Sequence, residues 1–184
     1  MSRTSATGVF KSKSIPAIVF IVFAVLGSVA LATQDRFTLK VPNGPAFSDF
    51  KGYENWENVA VSQTEMGLKI IAANPAMINA YRSGIPGNGK NFPEGSKIVK
   101  IEWSTKKNTV SPYFVMVPDT LKSLSFMEKD TKRFKDSGGW GWAQFQNDAA
   151  SDTLTPFGTD AACGYACHTA VKAKDYTFTA YPRR

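Results

Sequence analysis

Short apolar segments separated by glycine, proline and asparagine are the feature that most restricts the fold of this chain. Residues 59–63 and 68–72 are rich in β-branched side chains and are joined through Gly67, which is typical of two paired strands. Further segments are predicted as strands at residues 97–105, 113–117, 122–129, 141–146 and 176–181. In the last of these, Tyr176, Phe178 and Ala180 would share one face, as the period of two in a strand requires.

Two helices are predicted between these strands. Asn74 offers a capping side chain and Pro75 a first residue whose missing N–H is harmless, so a helix should begin there and end at Gly84. A second helix is predicted over residues 160–172. The sequence therefore predicts an α+β fold, a single domain dominated by an antiparallel β-sheet with a few helices.

The N-terminal segment, residues 1–32, has the pattern of a secretory signal peptide. Its basic start contains Arg3, Lys11 and Lys13. An apolar run follows over residues 15–32 and ends in the small-residue cleavage site Ala30-Leu31-Ala32. An uncleaved anchor is the alternative, because 18 residues lie at the short end of a bilayer span. We expect export to the periplasm, with residues 33–184 forming the mature domain.

The charge of the chain is mildly basic. Lys and Arg number 22 against 15 Asp and Glu, a net charge of +7, and three of the bases belong to the predicted signal peptide. The remaining bases are spread among acids, whereas a nucleic-acid site needs a clustered stripe. We expect no nucleic-acid partner.

Both cysteines and the only histidine of the chain lie within the six residues Cys163-Gly-Tyr-Ala-Cys167-His168. In an exported protein, two cysteines followed by histidine indicate covalent attachment of c-type haem, with the imidazole as an iron ligand. Three residues separate these cysteines instead of two, but positions i and i+4 still share one face of a helix. A local Cys163–Cys167 disulfide and a Cys/Cys/His metal site are the alternatives.

The sixth iron position is left open by the sequence, which has no second histidine. A methionine could fill it, although methionine is more often a core residue; the candidates are Met66, Met77, Met116 and Met127. Alternatively, the iron has no sixth protein ligand and faces an aromatic pocket. The candidate walls of that pocket are Phe114, Phe126, Trp140, Trp142 and Phe145, which are equally typical of an ordinary core.

Four segments taken together resemble the cytochrome P-460 family. They are Lys129-Asp130-Thr-Lys132-Arg133-Phe134, Ser137-Gly-Gly-Trp140-Gly-Trp142, Cys163…Cys167-His168 and Lys174-Asp175-Tyr-Thr-Phe178-Thr179. The resemblance implies an exported, usually homodimeric haem c protein with a sheet-rich fold. Its relatives would be the hydroxylamine-oxidising cytochromes P-460 and the cytochromes c′-β, which bind nitric oxide and similar gases. Cys163 and Cys167 would hold one haem, and His168, on a C-terminal helix, would be its proximal ligand.

The resemblance also implies roles for two strand residues. Lys100 matches a lysine that is bonded directly to the porphyrin, which requires a neutral amine whose pKa burial has lowered. From the residues alone, a solvated pair of Lys100 with Glu102 is the simpler interpretation. Ser125 stands where the hydroxylamine-oxidising members place a glutamate as proton acceptor, and Glu128 should project to the opposite face of that strand.

Three hypotheses follow for the function. The chain is a haem enzyme that oxidises hydroxylamine or reacts with nitric oxide, with Lys100 and Ser125 at its site. Alternatively, it is a gas-binding or electron-carrying cytochrome that serves a redox partner protein without turnover. The third hypothesis is a haem-free exported module that is closed by a Cys163–Cys167 disulfide.

Overall fold

The computed structural model describes residues 33–158 and 164–184. The predicted signal peptide and Cys163 lie outside the described residues. Gln34 to Arg184 belong to one compact unit. Within the described part of the chain, no helix combines the length and the apolar character needed to span a membrane.

Six antiparallel strands form one sheet in which neighbours in sequence are also neighbours in space. The strands are β1 (Glu57–Thr64), β2 (Gly67–Ala73), β3 (Lys97–Lys107), β4 (Met116–Lys129), β5 (Trp140–Asp148) and β6 (Thr153–Phe157). The predicted fold class, a single α+β domain dominated by an antiparallel sheet, is confirmed. The end of the segment predicted at 113–117 and the whole segment predicted at 122–129 belong to one long strand, β4, which begins only at Met116 and pairs with β3 over most of its length.

Helix α1 (Pro75–Arg82) begins where its sequence predicts. The Asn74 side chain accepts a hydrogen bond from the Met77 N–H at 3.1 Å, which satisfies one of the free donors of the first turn. Gly84 follows the helix with a φ of +91°, a conformation that glycine adopts without a Cβ clash.

The C-terminal region differs most from prediction. Helix α2 covers only Ala166–His168, and a 3₁₀ turn continues over Thr169–Lys174, with Val171 in a non-helical conformation. Residues 176–181 do not form the predicted strand. Asp175 and Tyr176 have left-handed backbone conformations, with φ of +48° and +61°, which turn the chain away from an extended path.

Strand β6 was not predicted. Its sequence, Thr-Leu-Thr-Pro-Phe, contains Pro156, which lacks the N–H that a central strand needs. The strand pairs only with β5 at one edge of the sheet, where a proline is tolerated.

The two faces of the sheet are covered by different parts of the chain. On one face, here called the aromatic face, short 3₁₀ turns of the N-terminal segment pack on strand side chains. The fully buried members of this face are Val41, Phe47, Phe50, Val99, Leu124, Phe126 and Phe145. Phe47 contacts Phe145 edge-to-face at a centroid distance of 5.0 Å, and Phe50 stacks on Phe126 at 4.3 Å. The opposite face, here called the cavity face, is covered by α1 and the C-terminal segment.

Replacing Phe145 by alanine tests the aromatic face. Phe145 is fully buried against Phe47 and Phe126, so we expect a loss of about 3–5 kcal/mol in the free energy of unfolding, measured by chemical denaturation. Tyr113→Ala is the control, because that side chain is 77% exposed and should change the free energy by less than about 0.5 kcal/mol. Equal losses in the two variants would contradict this assignment of the core.

Candidate functional site

A cavity of about 430 Å³ lies between the cavity face of the sheet and the C-terminal segment. That volume is in the range of small-molecule and cofactor sites. The strands contribute Ile98, Lys100, Ser125 and Trp142 to its lining, among others. The C-terminal segment contributes Gly164, Cys167, His168, Thr177, Phe178 and Thr179.

The structure brings the predicted site residues together. Lys100 and Ser125 are direct partners across β3 and β4, and both line the cavity together with Cys167 and His168. Cys163, the remaining predicted residue, lies outside the described residues. Residues that are about 25 to 70 positions apart in sequence therefore share one cavity, as the roles implied for them require.

His168 is held in a defined orientation. Its Nδ1 lies 2.6 Å from the backbone oxygen of Tyr176, and because a carbonyl can only accept, Nδ1 must carry the proton. In the neutral ring the other nitrogen, Nε2, is then unprotonated and has its lone pair available for a metal. Phe178 packs edge-to-face on the ring at 4.9 Å, and Trp142 lies at 5.5 Å.

The pKa of His168 favours the neutral ring. Burial lowers the pKa, the hydrogen bond to Tyr176 opposes that shift, and the charge of Lys100 lowers the pKa further. A neutral imidazole is the form that binds metal.

The carbonyl that orients His168 belongs to a constrained turn. Asp175 and Tyr176 both adopt left-handed conformations, which cost about 1–2 kcal/mol for each residue other than glycine. The Tyr176 ring is buried and packs so closely on Gly138 that a Cβ there would lie 2.3 Å from the ring. The surrounding packing thus fixes this turn.

Lys100 is half-buried on the cavity face. Burial lowers the pKa of its amine, Glu102 opposes this effect, and Lys69 adds to it. The simple Lys100–Glu102 pair does not form: among the described residues, Glu102 has its ion pairs with Lys69 at 3.8 Å and with Lys122 at 3.5 Å. Lys100 thus meets the requirement for a buried amine of lowered pKa.

Two buried polar atoms in the cavity wall have no hydrogen-bond partner among the described residues. They are Ser125 Oγ and Trp142 Nε1. Such atoms normally have a partner, so both indicate that the cavity holds a polar ligand or water. Glu128 lies on the other face of β4, where it pairs with Lys97 at 2.9 Å and Arg133 at 3.1 Å, as predicted.

Several residues predicted as pocket walls or iron ligands lie elsewhere. Phe114 is 77% exposed, and Met66 is 72% exposed. Phe145 belongs to the aromatic face, whereas Trp140 and Met77 belong to the packed part of the cavity face. Of these candidates, Trp142 and Met127 belong to the cavity face and line the cavity, and Phe126 borders it although its ring packs on the aromatic face.

Gly164 also belongs to the site, although the sequence does not predict this role. A Cβ at this position would lie 2.1 Å from Cγ of Trp142, so the chain passes directly over the indole where it enters the Cys167-His168 segment. Its position between the two cysteines is the one feature of the sequence that points to it. The close contact with Trp142, which excludes a side chain here, becomes visible only in the fold.

The family model for Cytochrome P460 matches residues 50–179, about 70% of the chain. The chain belongs to the cytochrome P460 family. This family is haem-binding, so the resemblance seen in the sequence is confirmed at the level of the family. No curated protein matches the chain.

The residues present in this cytochrome P460 chain fit a haem. Nε2 of His168 is free to bind iron, and the thiol of Cys167, one residue earlier, lines the same cavity. The remaining wall is mainly apolar, and Phe157 and Phe178, both about half exposed, line it as well.

Replacing Gly138 by alanine tests the support of the Tyr176 turn. The matched control is Gly95→Ala, because both glycines have a φ near +73° but a Cβ at Gly95 meets no atom within 4 Å. We expect Gly95→Ala to lose about 1–2 kcal/mol in the free energy of unfolding, and Gly138→Ala to lose about 1–3 kcal/mol more through overpacking. Denaturation of both variants measures the difference, and equal losses would show that Tyr176 is not held against Gly138.

Proposed function

We propose that this protein is an exported haem c protein that binds a small nitrogen-containing molecule, such as nitric oxide or hydroxylamine, at an open iron site. Thioether bonds from Cys163 and Cys167 hold one haem, and His168 is its proximal ligand. The observation that carries the proposal is the geometry of His168, whose Nδ1–H is engaged by Tyr176 while Nε2 stays free beside Cys167.

The attachment needs only the two cysteines and a reduced haem. Each S–H adds across one vinyl double bond. No atoms are lost and no electrons leave, so the protein gains the full mass of the haem. When bound, the haem supplies an iron that binds small ligands and exchanges electrons. Export to the periplasm, supported by the pattern of residues 1–32, places the thiols where such attachment occurs.

Binding or reaction of nitric oxide is better supported than hydroxylamine oxidation. Oxidation of hydroxylamine releases protons and benefits from a positioned base. Among the described residues, the cavity lining contains no Asp or Glu, and Ser125 occupies the position implied for the base. A cytochrome c′-β-like role in gas binding or electron transfer therefore fits the residues that line the cavity. We also propose a redox partner protein and a homodimer, both of which the family resemblance implies.

Lys100 is the proposed site of a further bond to the porphyrin. Such a bond replaces one amine N–H and one porphyrin C–H by an N–C bond, so two protons and two electrons leave, and a peroxide could accept the electrons. The support is the half-buried amine in the cavity wall, whose pKa burial lowers, so that the nucleophilic neutral form is accessible.

Intact mass of the protein secreted by a host that matures c-type haem tests this proposal. We expect the mass of residues 33–184 plus one haem that resists acid-acetone extraction. If Lys100 is bonded as well, the mass is two hydrogens lower and the ferrous absorption is strongly red-shifted, and both effects should disappear in Lys100→Met.

Two variants separate the roles in the cysteine motif. Cys167→Ala should lower the amount of haem retained, whereas His168→Ala should keep part of the haem but lose the ligand-binding spectrum of the wild type. A colourless product with a Cys163–Cys167 disulfide, or an unchanged spectrum in His168→Ala, would overturn the proposal.

Ser125→Glu tests whether the missing base limits hydroxylamine turnover. We expect a gain of about 100-fold in turnover with an artificial electron acceptor under anaerobic conditions, the lower end of what a positioned base contributes. Ser125→Gln is the matched control, since it has nearly the same size and no basic group. Equal turnover in the Glu and Gln variants would contradict the role assigned to a base at this position.

A further inference from the structure

A buried ion pair lies beside the His168 site but outside the cavity. Asp175 and Lys129 are exposed by only 4% and 3%, and Lys129 Nζ lies 2.8 Å from Oδ1 of Asp175. Trp140 Nε1 donates to the same oxygen at 3.2 Å, and the Phe92 N–H donates to Oδ2 at 2.8 Å. We call Asp175 with these three donors the Asp175 clamp.

Both charged groups of the clamp have several hydrogen-bond partners, as a buried ion pair requires. Lys129 Nζ also donates to the Gly138 carbonyl at 3.2 Å and lies 5.1 Å from the centroid of the Trp140 ring. Burial of both charges is costly unless each is fully hydrogen-bonded, and an apolar pair is often as stable. Neither Asp175 nor Lys129 lines the cavity, so the pair does not touch a ligand there.

One residue, Tyr176, joins the Asp175 clamp to His168. Asp175 directly precedes Tyr176, whose carbonyl accepts the Nδ1–H of His168. Both residues have left-handed conformations, so the direction of that carbonyl depends on what holds the turn. The clamp fixes the turn from the Asp175 side, and the Tyr176 ring fixes it from the other.

We propose that Asp175 is a positioning residue, which sets the strength of the hydrogen bond between His168 and the Tyr176 carbonyl and thereby tunes the bound haem iron. This inference rests on the proposed function, in which His168 is the proximal ligand. A strong hydrogen bond at Nδ1 makes an imidazole a more electron-donating ligand. Loosening the turn should therefore raise the reduction potential of the haem and lower the iron–histidine stretching frequency.

The reduction potential distinguishes an effect of the charges of Asp175 and Lys129 from an effect of the position of the Tyr176 carbonyl. Removal of the Asp175 carboxylate would raise the potential by charge as well, but removal of the Lys129 ammonium would lower it or leave it unchanged. Loosening of the turn raises the potential in both variants. Trp140→Phe removes one donor to Asp175 without any change of charge, so charge alone would cause no shift.

The experiment compares Asp175→Asn, Lys129→Gln and Trp140→Phe as haem-loaded proteins. Redox titration measures the potential, and resonance Raman spectra of the ferrous form measure the iron–histidine stretch. We expect a higher potential and a lower stretching frequency in all three, with the smallest shifts in Trp140→Phe. Asp49→Asn is the control, because Asp49 also accepts a backbone N–H, from Ala46 at 2.9 Å, and lies 3.6 Å from Arg133 on the aromatic-face side.

Opposite shifts of the potential in Asp175→Asn and Lys129→Gln would overturn the proposal, since they would indicate charge without positioning. Unchanged stretching frequencies in all three variants would overturn it as well, as would equal shifts in Asp49→Asn. If Asp175→Asn or Lys129→Gln fails to fold, Trp140→Phe still decides between position and charge. A wild type without haem would instead refute the proposed function, so the two failures are distinguishable.

Discussion

The strict alternation of side chains across one antiparallel sheet is the constraint on which the rest of the structure depends. Neighbouring strand residues point to opposite faces, so Val99, Leu124 and Phe126 meet the aromatic N-terminal turns, whereas Lys100 and Ser125 reach the cavity. Dense aromatic packing on one face stabilises the sheet and leaves the other face free to keep a cavity.

The C-terminal segment turns this open face into a site. It contains few regular hydrogen bonds, because α2 is short and the chain leaves the helical conformation at Val171. Its position comes instead from contacts with the sheet: Gly164 on Trp142, Tyr176 against Gly138, and the Tyr81 hydroxyl donating to the Thr179 carbonyl at 3.0 Å. A site built in this way holds His168 by packing and by one carbonyl, and its precision depends on residues distant in sequence.

The sequence was sufficient for the features that depend on local pattern. The strand pair around Gly67, the capped start of α1 and the opposite faces of Ser125 and Glu128 follow from neighbouring residues alone. The family match over residues 50–179 supports the haem-binding character inferred from the cysteine motif. The alternation in residues 176–181 was misleading, because two left-handed residues and tertiary contacts override a local strand preference. Asp175 could not be recognised as buried, since its three donors come from distant parts of the chain.

Lys100 and His168 share one electrostatic environment, and this links the two residues that the family resemblance singles out. Burial is the largest effect on each and lowers both pKa values, and the charge of Lys100 lowers that of His168 further. Two cations in one apolar cavity would each lack adequate solvation, so the loss of a proton from either relieves the other. The same physical condition thus favours a neutral imidazole that can bind iron and a neutral amine that can act as a nucleophile. Burial therefore acts on each group separately, and in both cases toward the form that can react.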